Sequence, residues 1–140
     1  SLSGLGEWSR VEARLQDLLE RQYRELSVYF DFLVRQEETI RTGTIEQLEA
    51  SVETDTERIA AIEALERAIV PLEKQFPAER HLLRHEKINE VRRQHRINRE
   101  LLKERLSRTG ARIHGLRIPR SGRSVYRDDR DSGGMLDLKM

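Results

Sequence analysis

His81 and His85 stand four residues apart, a spacing that puts two imidazoles on one face of a helix and can hold a metal. The order is His81-Leu82-Leu83-Arg84-His85, with Glu86 following, so the glutamate of a helical metalloprotease motif is missing from its place. The chain has no cysteine, and no third ligand is clustered with the pair. Two partly solvated histidines near a helix start are expected rather than a metal site. Glu37-Glu38 and Asp128-Asp129 are neighbours in sequence, which on a helix turns the two carboxylates apart. There is no glycine-rich phosphate loop, no serine elbow and no triad arrangement. These residue types point away from an enzyme, a cofactor or a small-molecule substrate.

The basic run Arg92, Arg93, Arg96, Arg99, Lys103, Arg105, Arg108, Arg112 and Arg117 could meet phosphates. Yet residues 79–118 contain no aromatic side chain on which a base could stack, which argues against nucleic acid. The charge is divided along the chain. Residues 1–70 hold eight Lys and Arg against fifteen Asp and Glu, a net of −7, while residues 79–120 hold thirteen against five, a net of +8. Near-equal opposite blocks in one small chain read best as internal complements.

What must position these residues follows from composition and spacing. The 140 residues suit one domain, and 36% hydrophobic beside 36% charged and 5% aromatic leaves too little apolar material for a broad globular core. One apolar stripe per helix is the economical answer. The spacing predicts helices over about 9–41, 44–70 and 78–118, an all-α antiparallel three-helix bundle or long coiled coil, followed by a disordered tail at 119–140. No apolar run approaches the roughly 20 residues of a membrane span. Ser1-Leu2-Ser3-Gly4 shows neither a basic nor an apolar leader region, so no signal peptide and no membrane insertion are expected.

In the first stretch Val11, Leu15, Leu18, Leu26, Tyr29, Leu33 and Ile40 step by threes and fours, with Gln22 and Gln36 filling the remaining stripe positions. Ser9 is a candidate cap, and Trp8, Tyr23, Tyr29, Phe30 and Phe32 are expected to pack. Gly43 suits a left-handed helix end, and Thr44 with Gln47 forms a capping box. The second stretch carries Ile45, Leu48, Val52, Ile59, Ile62 and Ile69, with Asp55 or Thr56 where an apolar residue belongs. Pro71 is expected to end or kink that helix, with Pro77 opening the next.

The third stretch has Leu82, Leu83, Ile88, Val91, Ile97, Leu101, Leu102 and Leu106, and its apolar face thins where Gln94, His95 and Asn98 fall. Gly110 predicts fraying after about Arg108, with Ile113, Leu116 and Ile118 beyond it. This segment reads as amphipathic but under-anchored, the kind that orders on a partner. The tail holds two small apolar clusters, Val125-Tyr126 and Met135-Leu136-Asp137-Leu138-Lys139-Met140, which read as short docking motifs.

The break Thr42-Gly43-Thr44-Ile45-Glu46-Gln47-Leu48, the stretch Asn98-Arg99-Glu100-Leu101-Leu102, the tail Ser124-Val125-Tyr126 and the ending Met135-Leu136-Asp137-Leu138-Lys139 together resemble flagellar export chaperones of the FlgN type. The resemblance covers nearly the whole chain; the arginine content between Arg105 and Arg130 departs from it. It implies a small cytoplasmic helical chaperone that holds the C-terminal segments of hook-associated proteins, prevents premature assembly and delivers them to the export gate. It implies client contact through Leu101, Leu102, Leu106, Ile113 and Leu116, and docking at the export gate through Val125 and Tyr126. The competing readings are a coiled-coil scaffold that pairs with itself as a homodimer, and a basic-helix nucleic-acid binder.

Overall fold

The computed structural model describes residues 2–76 and 82–113. They form α1 (Leu2–Thr42), α2 (Ile45–Gln75) and α3 (Leu82–Thr109), with no strand among the described residues. The all-α bundle expected from the spacing is the observed fold. Pro77, His81, Leu116, Ile118, Val125, Tyr126 and the 135–140 cluster lie outside the described residues, as does the side chain of Trp8.

α2 folds back antiparallel on α1, since Ile40 meets Leu48 at one end and Leu15, Leu18 and Leu19 meet Ile69 at the other. α3 runs parallel to α1: Arg84 reaches Gln22, Asn98 reaches Gln36 and Arg105 reaches the end of α1. α1 is the shared element. Both other helices pack along it, while the backbones of α2 and α3 stay apart and meet through long side chains.

Buried positions step by four and three in every helix. On α1 they are Leu15, Leu19, Gln22, Leu26, Tyr29, Leu33, Gln36 and Ile40, with Leu18 buried beside Leu19; on α2 Leu48, Asp55, Ile59, Ile62, Glu66 and Ile69. On α3 they are Arg84, Ile88, Val91, His95, Asn98 and Leu102, with Arg99 buried beside Asn98. A sustained 3.5-residue period keeps one seam toward the partners along the whole length of a helix. The apolar members gather into an end cluster around Leu15 and Ile69, a middle cluster around Tyr29, Ile62 and Val91, and a second end cluster around Ile40, Leu48 and Leu102. Polar residues separate them.

Several boundaries differ from the spacing-based expectation, each for a local reason. α1 begins at Leu2, so Ser9 lies inside the helix and caps nothing. Gly43 does not adopt a positive φ, which among the described residues occurs only at Gly110 (71°). Gly43 is needed for closeness instead: an added Cβ would sit 2.6 Å from the Thr39 carbonyl oxygen. Thr44 and Gln47 do form the capping box. α2 continues through Pro71 to Gln75. Pro71 and Arg67 are both exposed, so the carbonyl that loses its donor lies on the watered side of the helix. Phe76 then packs over the Leu15 cluster. α3 ends at Thr109, short of 118, where Gly110 takes the left-handed conformation and donates its N–H to Leu106 O at 2.9 Å.

Candidate interaction surface along α1 and α3

Two polar layers set the register on which any surface depends. In the first, Arg84 is 0% exposed. Its Nη2 donates to Glu66 Oε2 at 2.8 Å and Oε1 at 3.1 Å, its Nη1 lies 3.4 Å from Glu73 Oε1, and its Nε donates to Gln22 Oε1. Gln22 Nε2 in turn donates to Glu66 Oε2 at 2.7 Å. A basic side chain of α3 thus crosses to acidic side chains of α2, as the opposed charge blocks suggest.

The second layer is built from amides. Asn98 Nδ2 donates to Gln36 Oε1 at 3.0 Å and to Leu33 O at 2.8 Å; Gln36 Nε2 donates to Ser51 Oγ at 2.9 Å and Asp55 Oδ2 at 3.3 Å. The Tyr29 hydroxyl donates to Asp55 Oδ1. Burial pushes the Asp55 carboxyl up to about 6, against the lowering pull of the Tyr29 and Gln36 hydrogen bonds and of Arg99. Burial, with the Arg99 cation second, pulls His95 down to about 4. His95 is therefore a neutral core residue at pH 7. The thin part of the α3 stripe is filled, and α3 is anchored there by hydrogen bonds rather than by apolar area.

The outer edge between α1 and α3 is the exposed apolar flank. Lys87 Nζ sits 4.9 Å from the Phe30 ring centroid, and Gln94 Nε2 donates to Glu37 Oε1 at 2.7 Å, so the Tyr23–Phe30–Glu37 side of α1 faces α3. Lys87 stays protonated above its ordinary range, chiefly through its bond to Glu90. Val34 falls between Phe30 and Glu37 on that side, and Ile97 follows Gln94 on α3. Val34 is 49% exposed and Ile97 40%, while Phe30 and Leu101 beside them are half-buried.

At the top of this flank lies the second end cluster. Leu102 (2%) and Ile113 (5%) are buried in it, and Leu101 and Leu106 pack against it half-buried. The expected client residues are therefore brought together, except Leu116, which lies outside the described residues. Leu102 and Ile113, however, close the bundle end and present nothing to solvent. Arg105 holds this end from α3, donating to Ile40 O (2.9 Å), Gly43 O (2.6 Å) and Thr39 O (3.4 Å), the last carbonyls of α1 and its turn. Spacing did not single out Arg84 or Arg105, although both continue the four-and-three count downward and upward from Leu102.

His85 is half-buried, and among the described residues no group of three or more His, Cys, Asp or Glu could hold a metal. No described helix is long and apolar enough to cross a membrane. Comparison with protein families, with curated proteins and with solved structures finds no match to this chain.

Proposed function

We propose that this chain is a helix-binding export chaperone of the FlgN type, which shields the C-terminal segments of hook-associated proteins in the cytoplasm and presents them to the export gate. What supports the reading is the apolar flank of α1 and α3, continuous with a bundle end that is closed by the chain's own Ile113. A client helix with apolar residues at i, i+3, i+4 and i+7 fits such a flank. Val34, Ile97 and Leu101 each keep part of their surface for it; covering that part contributes roughly 1 kcal/mol per residue, which makes a moderate and reversible complex. Tighter engagement requires Ile113 to leave the cluster and a client side chain to replace it beside Leu102 and Ile40. Val125 and Tyr126 would then serve the gate.

The test is calorimetric titration of the full chain with C-terminal segments of hook-associated proteins, followed by hydrogen exchange. Binding with new protection over residues 94–113 is expected. Ile97→Asp and Leu101→Asp should weaken it by about tenfold or more with helix content unchanged, because a charge in the interface stays desolvated. No binding, or binding indifferent to both variants, overturns the reading.

The same exposed pair, Val34 and Ile97, favours one competitor, self-association along this flank; a mass that grows with concentration in sedimentation would support it. The nucleic-acid reading loses ground because Arg84, Arg99 and Arg105 are spent inside the bundle. Glu86, Glu90, Glu100 and Glu104 also interrupt the outer face of α3.

A further inference from the structure

Five large hydrophobic residues stand exposed among the described residues: Val28, Val34, Leu82, Leu83 and Ile97. Leu82 and Leu83 sit at the start of α3, about 30 Å from Leu102 at 1.5 Å per residue. Val28 lies on the other side of α1, toward Phe32 and the Arg58 guanidinium above it. Only Val34 and Ile97 lie near the bundle end where the chain leaves α3, and there they adjoin half-buried Leu101 and Phe30. Exposed Asp31, Glu38, Glu100 and Glu104 rim this patch.

The chain that emerges at this place has complementary chemistry. After Glu104 no carboxylate occurs until Asp128, while Arg112, Arg117, Arg120, Arg123 and Arg127 all fall in between. Leu116, Ile118, Val125 and Tyr126 are interleaved with these arginines. The first residues of the segment already turn back: beyond Gly110 the backbone is no longer helical, and Ile113 is inserted beside Leu102, Leu48 and Ile40. From Ile113 to Tyr126 there are 13 residues, about 40 Å when extended, whereas Ile97 lies only about 8 Å below Leu102 along the helix.

We propose that the segment Leu116–Tyr126 lies back along the α1–α3 flank as an internal occupant. Its apolar residues cover Leu101, Ile97, Val34 and Phe30, and its arginines pair with the carboxylates of the rim. The opposite charge selects this segment, and the insertion of Ile113 brings its start back to the bundle end that the flank adjoins. The exposed face of α2 near the same end carries Glu46, Glu49, Glu53 and Glu57 but no exposed large apolar residue, so it offers the arginines charge without a seat for Val125 and Tyr126. The docking stands without the chaperone reading. Its consequence rests on that reading: a client that takes the flank must release Val125 and Tyr126, so an occupied chaperone differs from an empty one in the residues assigned to the gate.

Because the chain lacks cysteine, disulfide trapping in the full-length protein tests the docking directly. The pair Val34→Cys with Val125→Cys should close within one molecule about tenfold faster than the pair Glu53→Cys with Val125→Cys, which samples the acidic face of α2 through the same tether. Adding Arg117→Gln, Arg120→Gln and Arg123→Gln, or raising salt to about 1 M, should remove most of that difference. Val34 and Glu53 are not buried, so both pairs should keep the helical signal. Equal rates for the two pairs, or a difference indifferent to the arginines and to salt, overturn the proposal. A disulfide that forms only between molecules, faster at higher concentration, overturns it in favour of a second copy on the flank. No client is present in this experiment, so the docking can fail while client binding survives, and the reverse.

Discussion

The two polar layers of the bundle solve one problem in opposite ways. Where Gln22, Glu66 and Arg84 meet, a full charge is buried and matched by a full charge. Where Gln36, Asp55, His95 and Asn98 gather, burial instead drives the ionisable groups toward neutrality, and amides carry the connections. The first layer joins α3 to α2 as well as to α1, whereas the Asn98 amide bonds to α1 and to its own helix. A layer of ions tolerates no missing partner, whereas a layer of neutral groups can lose one bond and keep most of its solvation balance.

The difference is sharpest when a charge is removed. Arg84→Met leaves Glu66 buried against Gln22 and should cost about 3–5 kcal/mol in denaturant unfolding, whereas Arg84→Met combined with Glu66→Leu should recover most of it. If the single variant unfolds like the native chain, the ion layer does not hold α3.

The neutral layer should answer to pH. His95 sits below its unfolded value of 6.5, so its contribution is present above that pH and is lost as pH falls toward about 4. Asp55 sits above its unfolded value of 3.8, so its contribution is present below that pH and is lost as pH rises through about 6. Between pH 6 and 4 the two run in opposite directions and nearly cancel. Replacing one exposes the other: relative to the native chain, His95→Gln should gain stability on acidification, and Asp55→Asn should lose it, each by roughly 2–3 kcal/mol over that window. Parallel curves for all three proteins would show that neither group is shifted as described.

A smaller effect is expected at Asn98. Asn98→Ala takes the Asn98 donor from Gln36 Oε1 and the second bond from the Leu33 carbonyl, and should cost about 1–3 kcal/mol, less than the loss of Arg84. A larger cost than at Arg84 would reverse the ranking of the two layers.

Much of this is legible in the sequence. Gln22, Gln36 and Asp55 were visible as polar members of otherwise apolar stripes, and His95 and Asn98 as the thin part of the third. What spacing along one helix cannot contain is the height at which a residue meets another helix, so five separate gaps did not read as two layers. Arg84 was hidden by its neighbours: Leu82 and Leu83 looked like the stripe, yet they are 69% and 57% exposed. Counting back from Leu102 by four and three, through Asn98, His95, Val91 and Ile88, would have reached Arg84. Of the expected client residues, Leu101, Leu102 and Leu106 lie near the end of α3, and Leu102 and Ile113 serve the bundle end because a helix that stops at Thr109 must close its last apolar turn with something.

Arg105 has a consequence for the order in which the molecule assembles. The carbonyls it grips belong to Thr39, Ile40 and Gly43, which converge where α1 ends. A short-range hairpin of α1 and α2 closes early, whereas α3 must travel the length of the bundle before it can lie parallel to α1. Its far end therefore finds a receptor for the guanidinium only once α1 has formed to its last turn. The same arrangement makes α3 the first element to peel away when the chain is pulled from its C-terminal side, and leaves the α1–α2 hairpin as the last to yield.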